Sequence, residues 1–233
     1  MLGTNSIKRW IKQFVQWNIT DHLECYTDEL LYQQLFAQKC SLLGLRNDFY
    51  PVGSAANYGL LYLLGRILSE QKALSILELG SGETTRLIDQ LRDDDATHVC
   101  LEDDATWHTR ISPRLRRCDY RLRPLVSRTI EGRPCLTYPD LSVERFDLLV
   151  VDGPHETEDR SRIGCLEPIR ENTNQDFVII LDDCERKGER QTRAFIEMAL
   201  RQKGATFRYR ELRAKKTQGV FAAGRFDEVL FYW

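Results

Sequence analysis

No stretch of this 233-residue sequence is apolar enough to cross a membrane. The most hydrophobic run, Tyr58 to Leu68, is broken by Arg66 and falls short of the ~20 residues that a spanning helix needs. An excess of one charge is also missing: 33 Lys and Arg stand against 35 Asp and Glu, a formal net charge of -2. Nothing in that balance draws a polyanion to the whole surface, so nucleic acid is not an expected partner. There is no Cys-x-x-Cys pair; the 7 cysteines are scattered singly. An odd number argues against a closed disulfide framework and for reduced thiols packed in or near a core. The first residues contain no signal-like apolar segment, because Lys8, Arg9 and Lys12 interrupt them. Together these absences point to a cytoplasmic protein. Repeats and low-complexity tracts are missing too. With 42% hydrophobic residues, what remains is an ordinary globular chain long enough for one large core.

The apolar periodicity changes along the chain. Ile7, Trp10, Ile11, Phe14 and Trp17 recur at three- and four-residue spacing, the stripe of an amphipathic helix. That stripe suits packing against the domain, a homodimer through the N-terminal helices, or a membrane surface. A second helix is expected over 27–40, a loop over 44–53 and a buried helix over 54–71. From Ala73 onward short apolar runs alternate with helical stretches, the pattern of βαβ units and a parallel sheet. Strands are expected at 75–79, 98–102, 119–126, 146–151 and 177–181, and helices at 84–92, 160–171 and 188–203. Two more strands, 206–213 and 226–232, flank a linker with no helical pattern, so they should run antiparallel. The expected organisation is a helical extension, 1–72, followed by an α/β domain, 73–233.

The segment Ile76-Leu-Glu-Leu-Gly-Ser-Gly-Glu-Thr-Thr85 joins a buried strand to a helix through a Gly-x-Gly turn. Gly80 and Gly82 allow a sharp bend and a close ligand, and a helix N-terminus offers free N–H groups. Glu78, just before the turn, suits a cationic amino group better than a pyrophosphate. Thr85 stands where a dinucleotide fingerprint has its third glycine. The next strand ends at Glu102, a carboxylate placed to accept from both hydroxyls of a ribose. Each element also has a plainer reading: a simple strand–helix turn, and a solvated acidic turn.

Taken in order, Glu78-x-Gly80-x-Gly82, Glu102, Phe146-Asp-Leu-Leu-Val-Val-Asp-Gly-Pro154 and the antiparallel tail resemble the class I S-adenosylmethionine-dependent methyltransferases. The resemblance spans about Ala73 to Trp233. It implies a doubly wound, Rossmann-like seven-stranded sheet with an antiparallel last strand. It further implies S-adenosylmethionine as cofactor, with Glu78, Gly80 and Gly82 at its methionine end and Glu102 on its ribose.

In such a sheet, ligands bind at the carboxyl ends of the strands. The fourth strand ends in Asp152-Gly-Pro-His155 and the fifth in Asp182-Asp183. Strands lie ~4.8 Å apart, so Asp152, Asp182 and Asp183 can converge, and three carboxylates suit Mg²⁺. This edge is similar to that of catechol-type O-methyltransferases, although Asp183 replaces their Asn and His155 stands in place of their catalytic lysine. His155 is the candidate general base for a hydroxyl of a small polar molecule or sugar. The alternatives are that Asp182 or Asp183 merely caps a helix and that His155 sits in a surface turn. Two other activities share the motifs: an NAD-dependent dehydrogenase, and a non-catalytic binding protein on the same fold.

Overall fold

The computed structural model describes residues 4–51, 56–139, 141, 145–155 and 162–231. Among the described residues, nine strands form two sheets. β1 (Ser75–Leu79), β2 (Thr97–Glu102), β3 (Asp119–Leu122), β6 (Phe146–Val151), β7 (Thr173–Leu181), β8 (Arg208–Arg213) and β9 (Thr217–Ala223) build the main one, in the order β3-β2-β1-β6-β7-β9-β8. β1, β2, β3, β6 and β7 run parallel, while β9 is antiparallel to both its neighbours. β4 (Val126–Ile130) and β5 (Arg133–Thr137) form a separate hairpin. This is the expected seven-stranded sheet, doubly wound and with an antiparallel last strand.

The central strands are buried on both faces, so their apolar runs are continuous rather than alternating. Successive residues nevertheless serve two cores. Ile76, Leu148, Val150, Val178 and Ile180 meet one helical layer, whereas Leu77, Leu149, Val151, Ile179 and Leu181 meet the other. The first layer holds α2 (Tyr58–Glu70), α3 (Glu83–Leu91) and the end of α1 (Thr4–Leu42). On the second lie α5 (Leu166–Asn172) and α6 (Lys187–Gln202). A short α4 (Ala105–Ile111) follows β2.

Several expectations need correction. Two N-terminal helices were expected and one continuous helix of 39 residues is found; nothing between Asn18 and Thr27 is a proline or glycine that would stop it. The sequence 119–126 is not one strand, because Pro124 ends β3 and the chain turns into the β4–β5 hairpin. The last strand is not 226–232. It is β9, within the stretch expected to be a linker, and Gly224–Leu230 is a 3-10 helix that buries Phe226, Val229 and Leu230 at helical spacing. The expected helix 160–171 starts partly outside the described residues and continues as a 3-10 turn, Ile163–Cys165, and α5.

The end of the N-terminal segment is part of the domain's core. Tyr32, Phe36, Cys40 and the α2 leucines pack in one cluster with β1, β6, β7 and β9. Farther out on α1, Val15, Ile19, Leu23, Tyr26 and Leu30 face solvent. The side chains of Trp10, Phe14 and Trp17 lie outside the described residues.

Candidate functional site

At the carboxyl ends of the parallel strands lies a cavity of about 550 Å³, and Gly80, Ser81, Gly82, Glu102 and Trp107 line one wall. Asp152, His155, Arg162, Asp183 and Arg186 line another, and Tyr50 and Ala56 come from the N-terminal segment. Such a volume suits a small ligand rather than a flat macromolecular contact.

The two walls meet backbone to backbone. Gly80 has φ +84, and a Cβ there would stand 2.6 Å from Gly153 N and 2.7 Å from its Cα. The reverse holds as well, since a Cβ on Gly153 would stand 2.6 Å from Gly80 Cα. Only glycine fits either place. The turn after β1 is thereby locked against the end of β6. Gly82 differs, for a Cβ there would meet nothing within 4 Å. It faces the open cavity beside the start of α3, whose Thr85 Oγ1 accepts from Gly82 N at 2.9 Å.

Glu102 is the most elaborately held side chain of this wall. Its Oε1 accepts from Asp103 N and Asp104 N, both at 2.9 Å. Its Oε2 accepts from Ser81 N at 3.1 Å and from Ser81 Oγ at 2.6 Å. Four donors fill the roughly four lone-pair sites of a carboxylate. A ribose hydroxyl can reach it only by displacing one of them, and the Ser81 hydroxyl has a second partner in Tyr120 Oη, 2.7 Å away. Trp107 borders the same wall and donates its indole N–H to Ser81 O at 2.8 Å.

Glu78 does not reach the cavity. It is completely buried between β1, β2 and α3, where Oε1 accepts from Thr84 Oγ1 at 2.5 Å and Oε2 meets His98 Nε2 at 3.0 Å. Burial works against the imidazolium of His98, but Cys118 and Glu78 outweigh it and lift its pKa to about 9. The expected cation facing Glu78 is therefore supplied by the chain itself. The reason is topological: Glu78 points to the face occupied by α3, while the turn after Leu79 carries the cavity wall.

On the opposite wall the three aspartates converge. One carboxylate oxygen from each of Asp152, Asp182 and Asp183 lies within 4.8 Å of the others. Asp182 is fully buried, and Asp183 sits at the end of β7 with φ +59, a left-handed conformation that Asp tolerates at a cost. Two cations that the sequence did not reveal enter this cluster. Lys216, from the β8–β9 turn, places Nζ 3.1 Å from Asp182 Oδ2 and 3.0 Å from Asp183 Oδ1. Arg162, which is almost completely buried, places Nη2 3.0 Å from Asp183 Oδ2 and 3.4 Å from Asp152 Oδ1. Its Nη1 also donates to Val151 O and Asp182 O, tying the ends of β6 and β7 together. Arg186 adds a contact of 3.1 Å to Asp183 Oδ2 at the rim.

These contacts set the acidities. Burial opposes ionisation of Asp182, yet Lys216 and Arg162 outweigh it and hold its pKa below the ordinary value. At Asp152, burial and the neighbouring Asp182 dominate, and the pKa is pushed well up. The ammonium of Lys216 is desolvated, but the aspartates around it hold its proton more tightly than usual. His155 is exposed at the mouth of the cavity.

Two further groups extend the cluster. Gln218 Nε2 donates to Asp182 Oδ1 at 2.6 Å and to Asn57 Oδ1 at 2.9 Å. Glu189, from α6, lies 3.6 Å from Arg162 Nε and is fully buried. Neither Arg162, Lys216 nor Gln218 stands in a recognisable motif; the only hint was a lysine and a glutamine in a short polar turn before an apolar run.

No protein-family profile matches the sequence, and no curated protein matches it. Solved structures do. A methyltransferase from Pyrococcus furiosus shares 15% identity at a TM-score of 0.51, over 84% of this chain and 96% of that one. An O-methyltransferase from Bacillus cereus, in complex with S-adenosylhomocysteine, gives 13% identity and 0.49 over 82% and 90%. The O-methyltransferase TomG from Streptomyces achromogenes, in complex with S-adenosylmethionine, gives 13% and 0.48 over 88% and 99%. At these identities the likeness is one of fold.

Proposed function

We propose that this chain, which has the class I methyltransferase fold, is an S-adenosylmethionine-dependent methyltransferase acting on a hydroxyl of a small polar molecule or sugar. One observation carries the reading: the Gly80–Gly153 contact joins the Glu102 wall and the Asp152 wall into a single cavity. A fold shared with the Pyrococcus furiosus methyltransferase supports it.

The residues of the first wall fit the cofactor. Gly82 leaves the space that a bound molecule would fill, and Glu102 with the Ser81 hydroxyl offers a ribose an exchangeable partner. S-adenosylmethionine held there would supply a sulfonium methyl group for in-line transfer. The second wall serves the acceptor. Asp152 lines the cavity next to the glycine that touches Gly80, and His155, which is more exposed, lines it too. Both can take the proton that an acceptor hydroxyl must lose. The position of Asp152 favours it as the nearer proton acceptor, with His155 at the entrance. Arg162 and Arg186 hold this wall by pairing with Asp152 and Asp183.

Ligand-dependent stability tests the assignment without knowledge of the acceptor. S-adenosylhomocysteine at one hundred times its dissociation constant should add about 2.7 kcal/mol of stability, and NAD should add none. Stabilisation by NAD alone would support the dehydrogenase reading. No response to either would leave a binding protein that uses this fold for something else.

A further inference from the structure

Mg²⁺ requires oxygen ligands at about 2.0–2.1 Å in near-octahedral order. The three aspartates hold six carboxylate oxygens, and five are already engaged. Asp182 Oδ1 accepts from Gln218, Asp182 Oδ2 and Asp183 Oδ1 face Lys216, and Asp183 Oδ2 and Asp152 Oδ1 face Arg162. A divalent ion bridging Asp182 and Asp183 would have to stand where the Lys216 ammonium stands. The residues present do not fit a resident metal.

We infer that the ammonium of Lys216 fills the cation position of this aspartate cluster, with the guanidinium of Arg162 beside it, and that the site works without a divalent ion. The placement is built rather than incidental. Lys216 is nearly buried, it bridges two carboxylates from the adjacent β9 turn, and it is tethered, so it needs no ion from solution. Together the two cations pair with Asp183, which is in its left-handed conformation, and Arg162 also engages Asp152 Oδ1. Lys216 is thus a positioning residue. The consequence for turnover rests on the methyltransferase reading; the occupancy of the cation position does not.

Mn²⁺ binding to the full chain, followed by electron paramagnetic resonance, separates the two. The wild-type protein should bind no Mn²⁺ at submillimolar concentration, and chelation should change neither its melting temperature nor its affinity for S-adenosylhomocysteine. Lys216→Gln vacates the position and should gain a Mn²⁺ site. Lys216→Arg, which keeps the charge, should not. Adding Asp182→Asn to Lys216→Gln should abolish the gained site, a readout that a merely structural lysine would not move. Should Lys216→Gln fail to fold, refolding it with Mn²⁺ decides the matter: recovery supports the inference and no recovery overturns it. Wild-type binding of Mn²⁺ that is lost in Asp183→Asn would overturn it, as would a folded Lys216→Gln that takes up no ion. Failure of S-adenosylhomocysteine to bind any of these proteins would instead strike the methyltransferase reading.

Discussion

Replacing Glu102 by Gln tests the cofactor wall at a single atom. Glutamine keeps the shape but turns one oxygen into an NH₂ group. Its carbonyl can still accept from Asp103 N and Asp104 N. The amide nitrogen then faces Ser81, whose hydroxyl can reverse and accept, but whose backbone N–H loses its acceptor. An orphaned N–H costs about 1–3 kcal/mol when buried, and this one, half-buried, sets that range as its upper bound. In a chain of this size each kcal/mol lowers the melting temperature by roughly 2–4 °C, so a fall of no more than about 2–12 °C is expected. Loss of a charge-assisted bond to the ribose should weaken S-adenosylhomocysteine by about tenfold or more, a figure that calorimetry reads directly.

Ser81→Ala is the counter-experiment. It removes the one donor to Glu102 that has an alternative partner, and it opens the lone pair that a ribose hydroxyl would use. Cofactor affinity should hold within about threefold or improve, since a ligand hydroxyl takes the place of the lost one. If Ser81→Ala weakens binding as much as Glu102→Gln does, the exchange of hydroxyls is wrong. An unchanged melting temperature in Glu102→Gln would refute the claim that the Ser81 backbone N–H depends on the second carboxylate oxygen.

Gly80→Ala and Gly153→Ala should each lower the melting temperature by several degrees, because the new Cβ meets backbone at 2.6 Å and Gly80 adds a positive φ; Gly82→Ala, with open space before it, should fold normally and lose cofactor affinity instead. Asp152→Asn keeps the size of the side chain and removes its basicity, so turnover should fall about 10²–10⁴-fold with cofactor affinity little changed. A full rate in Asp152→Asn, with His155→Ala inactive, would move the proton acceptor to the cavity mouth.

The parts of the fold that were legible in the sequence are those where local pattern and tertiary burial agree. β1 and β6 were expected at their observed limits because each is a short apolar run closed by a Gly or Asp turn. β9 was missed for the opposite reason. It opens with Thr217 and Gln218 and contains small residues, so it reads as a linker. Yet Gly219 is needed there, since a Cβ would stand 2.9 Å from Cys184 Sγ. The apolar tail after it imitates a strand, although Phe226, Val229 and Leu230 recur at helical spacing. At the site, the Gly-x-Gly turn and the acidic strand end marked Gly80, Gly82 and Glu102, which all line the cavity, and the convergence of the aspartates followed from the sheet that the family resemblance implied. Glu78 was misplaced because a motif names a residue and not the face of the sheet to which it points. Arg162 and Lys216 were hidden because ion pairs between distant segments leave no local periodicity.

The link between the N-terminal segment and the site rests on Asn57. It caps α2 by accepting from Leu60 N, and its Nδ2 donates to Glu29 Oε2 of α1 at 2.7 Å. Its Oδ1 also accepts from Gln218, which in turn holds Asp182. A hydrogen-bonded path therefore runs from α1 through α2 and β9 to the aspartate cluster, and the boundary expected at Ala73 cuts through it. Asn57→Asp distinguishes this path from simple capping. Aspartate caps a helix as well as asparagine does, so a cap alone predicts no change. On the path, the new carboxylate would face Glu29 at the distance of a hydrogen bond with no proton between them. A carboxylate pair in that geometry, one member buried and the other half-buried, should cost about 1–3 kcal/mol at neutral pH, and the cost should shrink as acid protonates one of them. The sign follows from the raised pKa: the neutral form relieves the repulsion, so the gap to wild type closes as pH falls. A melting temperature equal to wild type at neutral pH would reduce Asn57 to a cap and detach α1 from the site.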